Sequence, residues 1–148
     1  MNRTGASLTV LGLLTTPAAA DHWSAPAPLT ATSASGNARA QFLPSAAYDA
    51  AGEITVETRQ DARSAWTPAY RRRVVNAQAP VKLFVSDGAE VVTIDDWANA
   101  GYEHALVIYD RSGKVVVDEH LEDILSAGEI RSKVQWTISS RWWFAKAA

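Results

Sequence analysis

Asp95-Asp96-Trp97 and Tyr102-Glu103-His104 stand close together in the sequence, separated only by Ala98-Asn99-Ala100-Gly101. Carboxylates and an imidazole in one loop have the right donor types to bind a cation or polarise a water. The spacing is neither that of an EF-hand nor that of a His-Glu-x-x-His zinc helix. A plainer role fits the same residues: a strand-end Asp caps the loop backbone and Trp97 packs beneath it. Asp95, Asp96, Trp97, Tyr102 and His104 form the candidate ligand-binding set of this loop.

His22, His104 and His120 are the only histidines, and no two are four residues apart. They make a poor zinc site, and no metal or cofactor is implied. His22 could chelate copper or nickel weakly, as any exposed His near a chain start can. Glu119-His120 beside Glu122-Asp123 could do acid–base work. A helix N-terminus enriched in acids explains them more simply, because its dipole favours negative charge. Ser139-Ser140 has no base nearby in sequence, and there is no nucleophile elbow, P-loop or dinucleotide fingerprint. With no cysteine, thiolate chemistry and Cys-based zinc sites are excluded. No residue is assigned a catalytic role. An enzyme, either a small hydrolase or a metal-dependent one, would have to use the 95–104 loop with His120. It would need at least two of Asp95, Asp96, Glu103, His104 and His120 to converge within hydrogen-bond reach in a concavity.

Six tryptophans are many for 148 residues. In the run Val134–Trp143 strict alternation places Trp136 and Trp142 on an apolar, core-facing side. Trp143 points the other way and joins the candidate ligand-binding residues. Arg71-Arg72-Arg73 could meet phosphate. On a strand, however, one of the three must oppose the other two, and cations on an edge strand discourage edge-to-edge pairing.

The elements that would position these groups read as β-strands. "ARAQFL", "EITVETR" and "VKLFVS" alternate with period two, and Phe84 opposes Val81, Leu83 and Val85. "EVVTIDDW" and "ALVIYD" are apolar on both faces, as central strands are. "KVVVDEH" and "VQWTISSRWW" complete the set. Asp87-Gly88 signals a type I′ hairpin turn. Asp110–Gly113 suits a type I turn closed by Gly113 in the left-handed region, and Asp49–Gly52 looks like the same turn. One segment departs from this pattern: "LEDILSAGEIRS" has Leu121, Ile124 and Leu125 at helical spacing and a capping box at Ser126–Glu129. The expected fold is all-β and mainly antiparallel. It has two blade-like sheets, open or sandwich-like, with one short helix near 120–131, or two single turns, packed across one end.

Residues 1–20 read as a signal peptide: Arg3, an apolar run from Leu8 to Leu14, then Ala18-Ala19-Ala20, with cleavage expected before Asp21. The apolar run is far shorter than the ~20 residues that span a bilayer. Residues 21–38 are rich in Ala, Pro, Ser and Thr and read as a flexible leader. Residues 39–148 form a single β-rich domain. The net charge is −2 and becomes more negative once Arg3 is removed, which opposes a general nucleic-acid role.

"FVSDGAEVVTIDDW" with "HALVIYDRSGKVV" resembles a β-propeller blade of the WD-repeat or quinoprotein-like kind, over Val81–Glu119. "AWTPAYRRRVVNAQAP" is similar to the last strand of a preceding blade. The stretch from Ser35 to Trp143 also resembles an uncharacterised group of secreted bacterial proteins that pair this hairpin with "LED" and a terminal "SSRWW". That group brings no established activity, and its longer members imply that a further strand is missing after Trp143. A propeller needs at least four blades of ~40–45 residues, more than this chain supplies. With the signal segment and the absence of any catalytic motif, the expected protein is an exported, periplasmic or secreted, non-enzymatic domain that binds or scaffolds in the cell envelope. Its expected route to a partner or to self-association is the open edge of the 134–143 strand.

Overall fold

Period-two alternation becomes two antiparallel meanders of the same design. The computed structural model describes residues 25–47 and 50–144. The N-terminal sheet runs β1 (Leu29–Thr32), β2 (Ala38–Leu43), β3 (Glu53–Thr58) and β4 (Thr67–Arg73), each paired with the next. The C-terminal sheet repeats that order with β5 (Pro80–Val85), β6 (Val91–Asp96), β7 (Leu106–Tyr109) and β8 (Val115–Glu119). Two helices, α1 (Leu121–Ile124) and α2 (Ala127–Lys133), and a small pair, β9 (Gln135–Trp136) with β10 (Arg141–Trp142), follow. The expected all-β, antiparallel, two-sheet architecture is what the chain adopts.

The inward side chains of the two sheets share one core. Ala40, Phe42, Ile54 and Val56 from the N-terminal sheet meet Leu83, Val91, Val107 and Tyr109 from the C-terminal sheet. Polar contacts lock this arrangement. Val75 N–H donates to Tyr109 Oη at 3.0 Å, and Arg72 Nη1 donates to Gly113 O at 2.6 Å. Arg72 thus points inward from edge strand β4 while Arg71 and Arg73 stay exposed, the split that alternation requires. A second cluster of Ala105, Leu121, Ile130 and Val134 anchors the helices at one end of the C-terminal sheet.

Several expectations change. Leu29–Thr32, assigned to the leader, forms β1, so order begins before Arg39. Gly36, which would tolerate Val in a flexible leader, has φ +73 in the β1–β2 turn. The expected signal segment, residues 1–20, and Tyr48-Asp49 lie outside the described residues. Gly52 is not left-handed, and its N–H donates to Gln78 O at 3.2 Å, so Gly52 does not take the part that Gly113 takes in the later turn. At Asp87-Gly88 the positive φ falls instead on Ala89 (φ 67), whose N–H donates to Ser86 O at 3.1 Å. Asp110–Gly113 makes the expected turn, with Gly113 at φ 80 and its N–H on Asp110 O at 2.8 Å. The 121–133 segment forms two helices rather than one, because Ser126 caps α2 from an extended conformation and breaks the run at Leu125. The capping box at Ser126–Glu129 forms as read.

The largest correction concerns residues 134–143, which do not form one strand. Thr137–Ser140 turns the chain, leaving two paired residues on each side. Breaking the alternation reverses the tryptophans. Trp136 and Trp142 are exposed, whereas Trp143 is half-buried beside the second core cluster.

Candidate functional site

At the end of β6 the backbone turns left-handed at Asp95 (φ 57), a conformation Asp tolerates better than most residues. Both Asp95 and Asp96 are buried there. Asp95 Oδ1 accepts from Gly101 N–H at 2.6 Å and Oδ2 accepts from Trp143 Nε1 at 2.7 Å. One carboxylate therefore closes the 97–104 loop and clamps the C-terminal segment to it. Burial pushes the Asp95 carboxyl up to about 6, against the opposing pull of these two donors. Asp96 is also raised by burial, and its Oδ1 accepts from Ala77 N–H at 3.1 Å.

The clamp has a second half. Arg141 N–H donates to Ala100 O at 2.8 Å, and its buried guanidinium lies 4.1 Å from the Tyr102 ring and 5.6 Å from Trp136. Glu122, at the start of α1, binds the same guanidinium, and that hydrogen bond holds its carboxyl below its ordinary value. Gly101 has φ 79, and a Cβ there would fall 2.2 Å from Arg141 O. Only glycine permits this approach of loop to hairpin. Asn76 supports the arrangement from below, donating to Asp95 O at 3.1 Å and accepting from Thr93 Oγ1 at 2.9 Å.

The other candidates point elsewhere. His104 (φ 52) pairs through Nδ1 with Asp118 Oδ1 at 2.7 Å. His120 caps α1, its N–H donating to Asp123 Oδ2 at 3.0 Å. Trp97 is half-buried against the main core. His22 lies outside the described residues. Thus Asp95, Asp96, His104 and His120 each bond to partners outside the acid–imidazole set. Among the described residues no group of three His, Cys, Asp or Glu could hold a metal ion. A shallow concavity of about 380 Å³ does form beside the loop, lined by Asp96, Asn99, Tyr102, Glu103, Ile138 and Ser139.

Sequence reasoning found Asp95 and its backbone-capping role but missed Asn76, Gly101 and Arg141. Trp143, read as a surface residue, is a structural partner of Asp95. The hairpin tip, by contrast, is exposed: Ile138 is 100% accessible, Trp136 56% and Trp142 38%. Compared with known proteins, the chain matches no family model, no curated protein and no solved structure.

Proposed function

We propose that this is an exported, blade-like binding domain of the cell envelope, and that it engages a protein partner through the C-terminal hairpin and the adjoining concavity. The observation that carries this reading is the exposure of Trp136, Ile138 and Trp142 on a hairpin held rigidly by Asp95 and Arg141. Large apolar side chains on a fixed mount are costly to leave in water and mark contact surfaces. Binding proceeds through side chains, because the two-residue ladder of β9 and β10 offers little strand edge. Asp96 and Glu103 in the concavity favour a partner segment that brings a cation beside its apolar groups. A hydrolase reading is less favoured, since both oxygens of Asp95 are engaged by Gly101 and Trp143.

Photo-crosslinking in the producing cell tests this. A crosslinker at position 138 should yield a discrete protein adduct that Trp142→Ala removes, and one at position 30 should not. N-terminal sequencing of the same material should begin at or near Asp21. Equal adducts at both positions, or a product starting at Met1, would overturn the reading.

A further inference from the structure

Strands β6 and β7 have the composition of strands covered on both faces, yet among the described residues only the inward face meets a second sheet. The register sets Phe84, Val92, Ile108 and Val117 in one row across the outward face of the C-terminal sheet. Lys82, Ile94, Leu106 and Glu119 form the next row. Phe84 is 51% exposed and the others are half-buried. The C-terminal segment reaches one corner, where Lys82 Nζ lies 4.7 Å from the Phe144 ring.

We propose that this face packs against the same face of a second copy of the chain, about a two-fold axis parallel to the strands between β6 and β7. Such an axis reverses strand order, so β5 of one copy lies over β8 of the other. Lys82 then meets Glu119 of the second copy, twice by symmetry. Bulky Phe84 lies over the smaller Val117, and the branched residues of β6 and β7 fill the centre. The rows thus complement their own reversal in charge and in volume. Head-to-tail stacking, which would close a ring of blades, instead sets this apolar face on the outward face of the N-terminal sheet. That face carries Thr30, Gln41, Thr55 and Arg71, and Arg39 paired with Glu57 at 2.6 Å. Covering those groups with Ile and Phe would strand their polar atoms. The inference concerns a different surface from the hairpin and stands without the binding role proposed above.

Sedimentation equilibrium on the purified protein should show a dimer. Phe84→Glu should weaken it at least tenfold, a rough figure for a buried apolar anchor. Lys82→Glu alone should weaken it by placing like charges together, and Lys82→Glu with Glu119→Lys should restore it. The sequence has no cysteine. Within one chain positions 82 and 119 are three strand spacings apart, about 14 Å, too far for a disulfide. The Lys82→Cys, Glu119→Cys double variant should therefore oxidise to a covalent dimer. If Phe84→Glu does not fold, the charge swap and the cysteine pair decide. A monomer at every concentration overturns the proposal, and so does an oligomer indifferent to these changes.

Discussion

The N-terminal and C-terminal sheets share strand order, pairing sense and an apolar inward face, but they differ in how each meets its surroundings. The outward face of the N-terminal sheet satisfies itself. Arg39 pairs with Glu57, Arg71 with Glu53, and the Trp66 ring meets the guanidinium groups of Arg39 at 4.4 Å and Arg59 at 4.5 Å. The outward face of the C-terminal sheet keeps an apolar centre, with Lys82 and Glu119 at its two edges. The long loops differ in the same way. The β3–β4 loop is capped by Asp61 in full solvent, whereas the β6–β7 loop is capped by buried Asp95 and roofed by the C-terminal hairpin. Hydrogen-bonded topology sets neither property. Both depend on residues that alternate away from the shared core, which are free to vary.

The largest effect that would sharpen this contrast is expected at Gly101. Gly101→Ala adds left-handed strain of about 1–2 kcal/mol and drives a Cβ to 2.2 Å from a backbone carbonyl. We expect about 4 kcal/mol or more in urea melts, with loss of hairpin docking visible in tryptophan fluorescence. Gly36→Ala in the N-terminal sheet meets nothing closer than Arg59 Nη2 at 3.6 Å. It should cost only about 1 kcal/mol, the conformational strain. Equal costs at the two sites would break the comparison.

Next comes the contact between sheets at Gly113, where φ is 80 and a Cβ would lie 2.7 Å from the Tyr70 ring. Gly113→Val should cost roughly 2–4 kcal/mol. The matching position of the β5–β6 turn already holds Ala89 at φ 67. Ala89→Gly relieves strain but loses a buried methyl, so its net effect should stay within about 0.5 kcal/mol of zero.

The two capping aspartates should respond to pH with opposite sign. Asp95 has a folded value of about 6, raised from 3.8, so folding favours its protonated form. Its contribution is complete below about pH 4 and is lost as pH rises through 6. The stability gap between wild type and Asp95→Asn should therefore narrow from pH 4 to pH 7, by about 1–3 kcal/mol. Asp61 is held below 3.8 by hydrogen bonds from Arg63 and Ser64. Its contribution is present above about pH 4 and disappears as pH falls below it. Asp61→Asn should therefore close its gap only in acid. A gap at Asp95 that widens toward pH 7 would contradict its buried setting. The smallest effect is expected at Arg71, whose side chain is 70% exposed. Arg71→Ala should shift stability by no more than about 0.5 kcal/mol, despite the ion pair with Glu53.

Strand existence was legible because alternation depends on neighbours two residues apart. β2, β3 and β5 through β8 lie where the pattern put them. The Asp110–Gly113 turn and the Ser126–Glu129 capping box were legible for the same local reason. β1 was missed because "LTAT" is short and embedded in a Pro- and Ser-rich stretch. It becomes a strand only because β2 offers an edge, and its turn is tied to the β5–β6 turn by Ser35 Oγ donating to Asp87 Oδ1 at 2.6 Å. The tryptophans of the last segment were misread because alternation assumes an unbroken strand.

What the sequence determined by itself is the local chemistry: that strands lie at β2, β3 and β5 through β8, where the Asp110–Gly113 turn and the Ser126–Glu129 capping box fall, and that an acid pair ends β6. These features follow from steric and hydrogen-bonding preferences acting within a few residues. The tertiary structure alone decided that Asp95 holds Trp143, 48 positions away. It also decided that Gly101 must admit Arg141, that the hairpin tip stands in solvent, and that among the described residues no second sheet covers the apolar outward face of β6 and β7. Contacts of that range depend on how the C-terminal hairpin settles onto the β6–β7 loop, and no short-range pattern encodes that geometry.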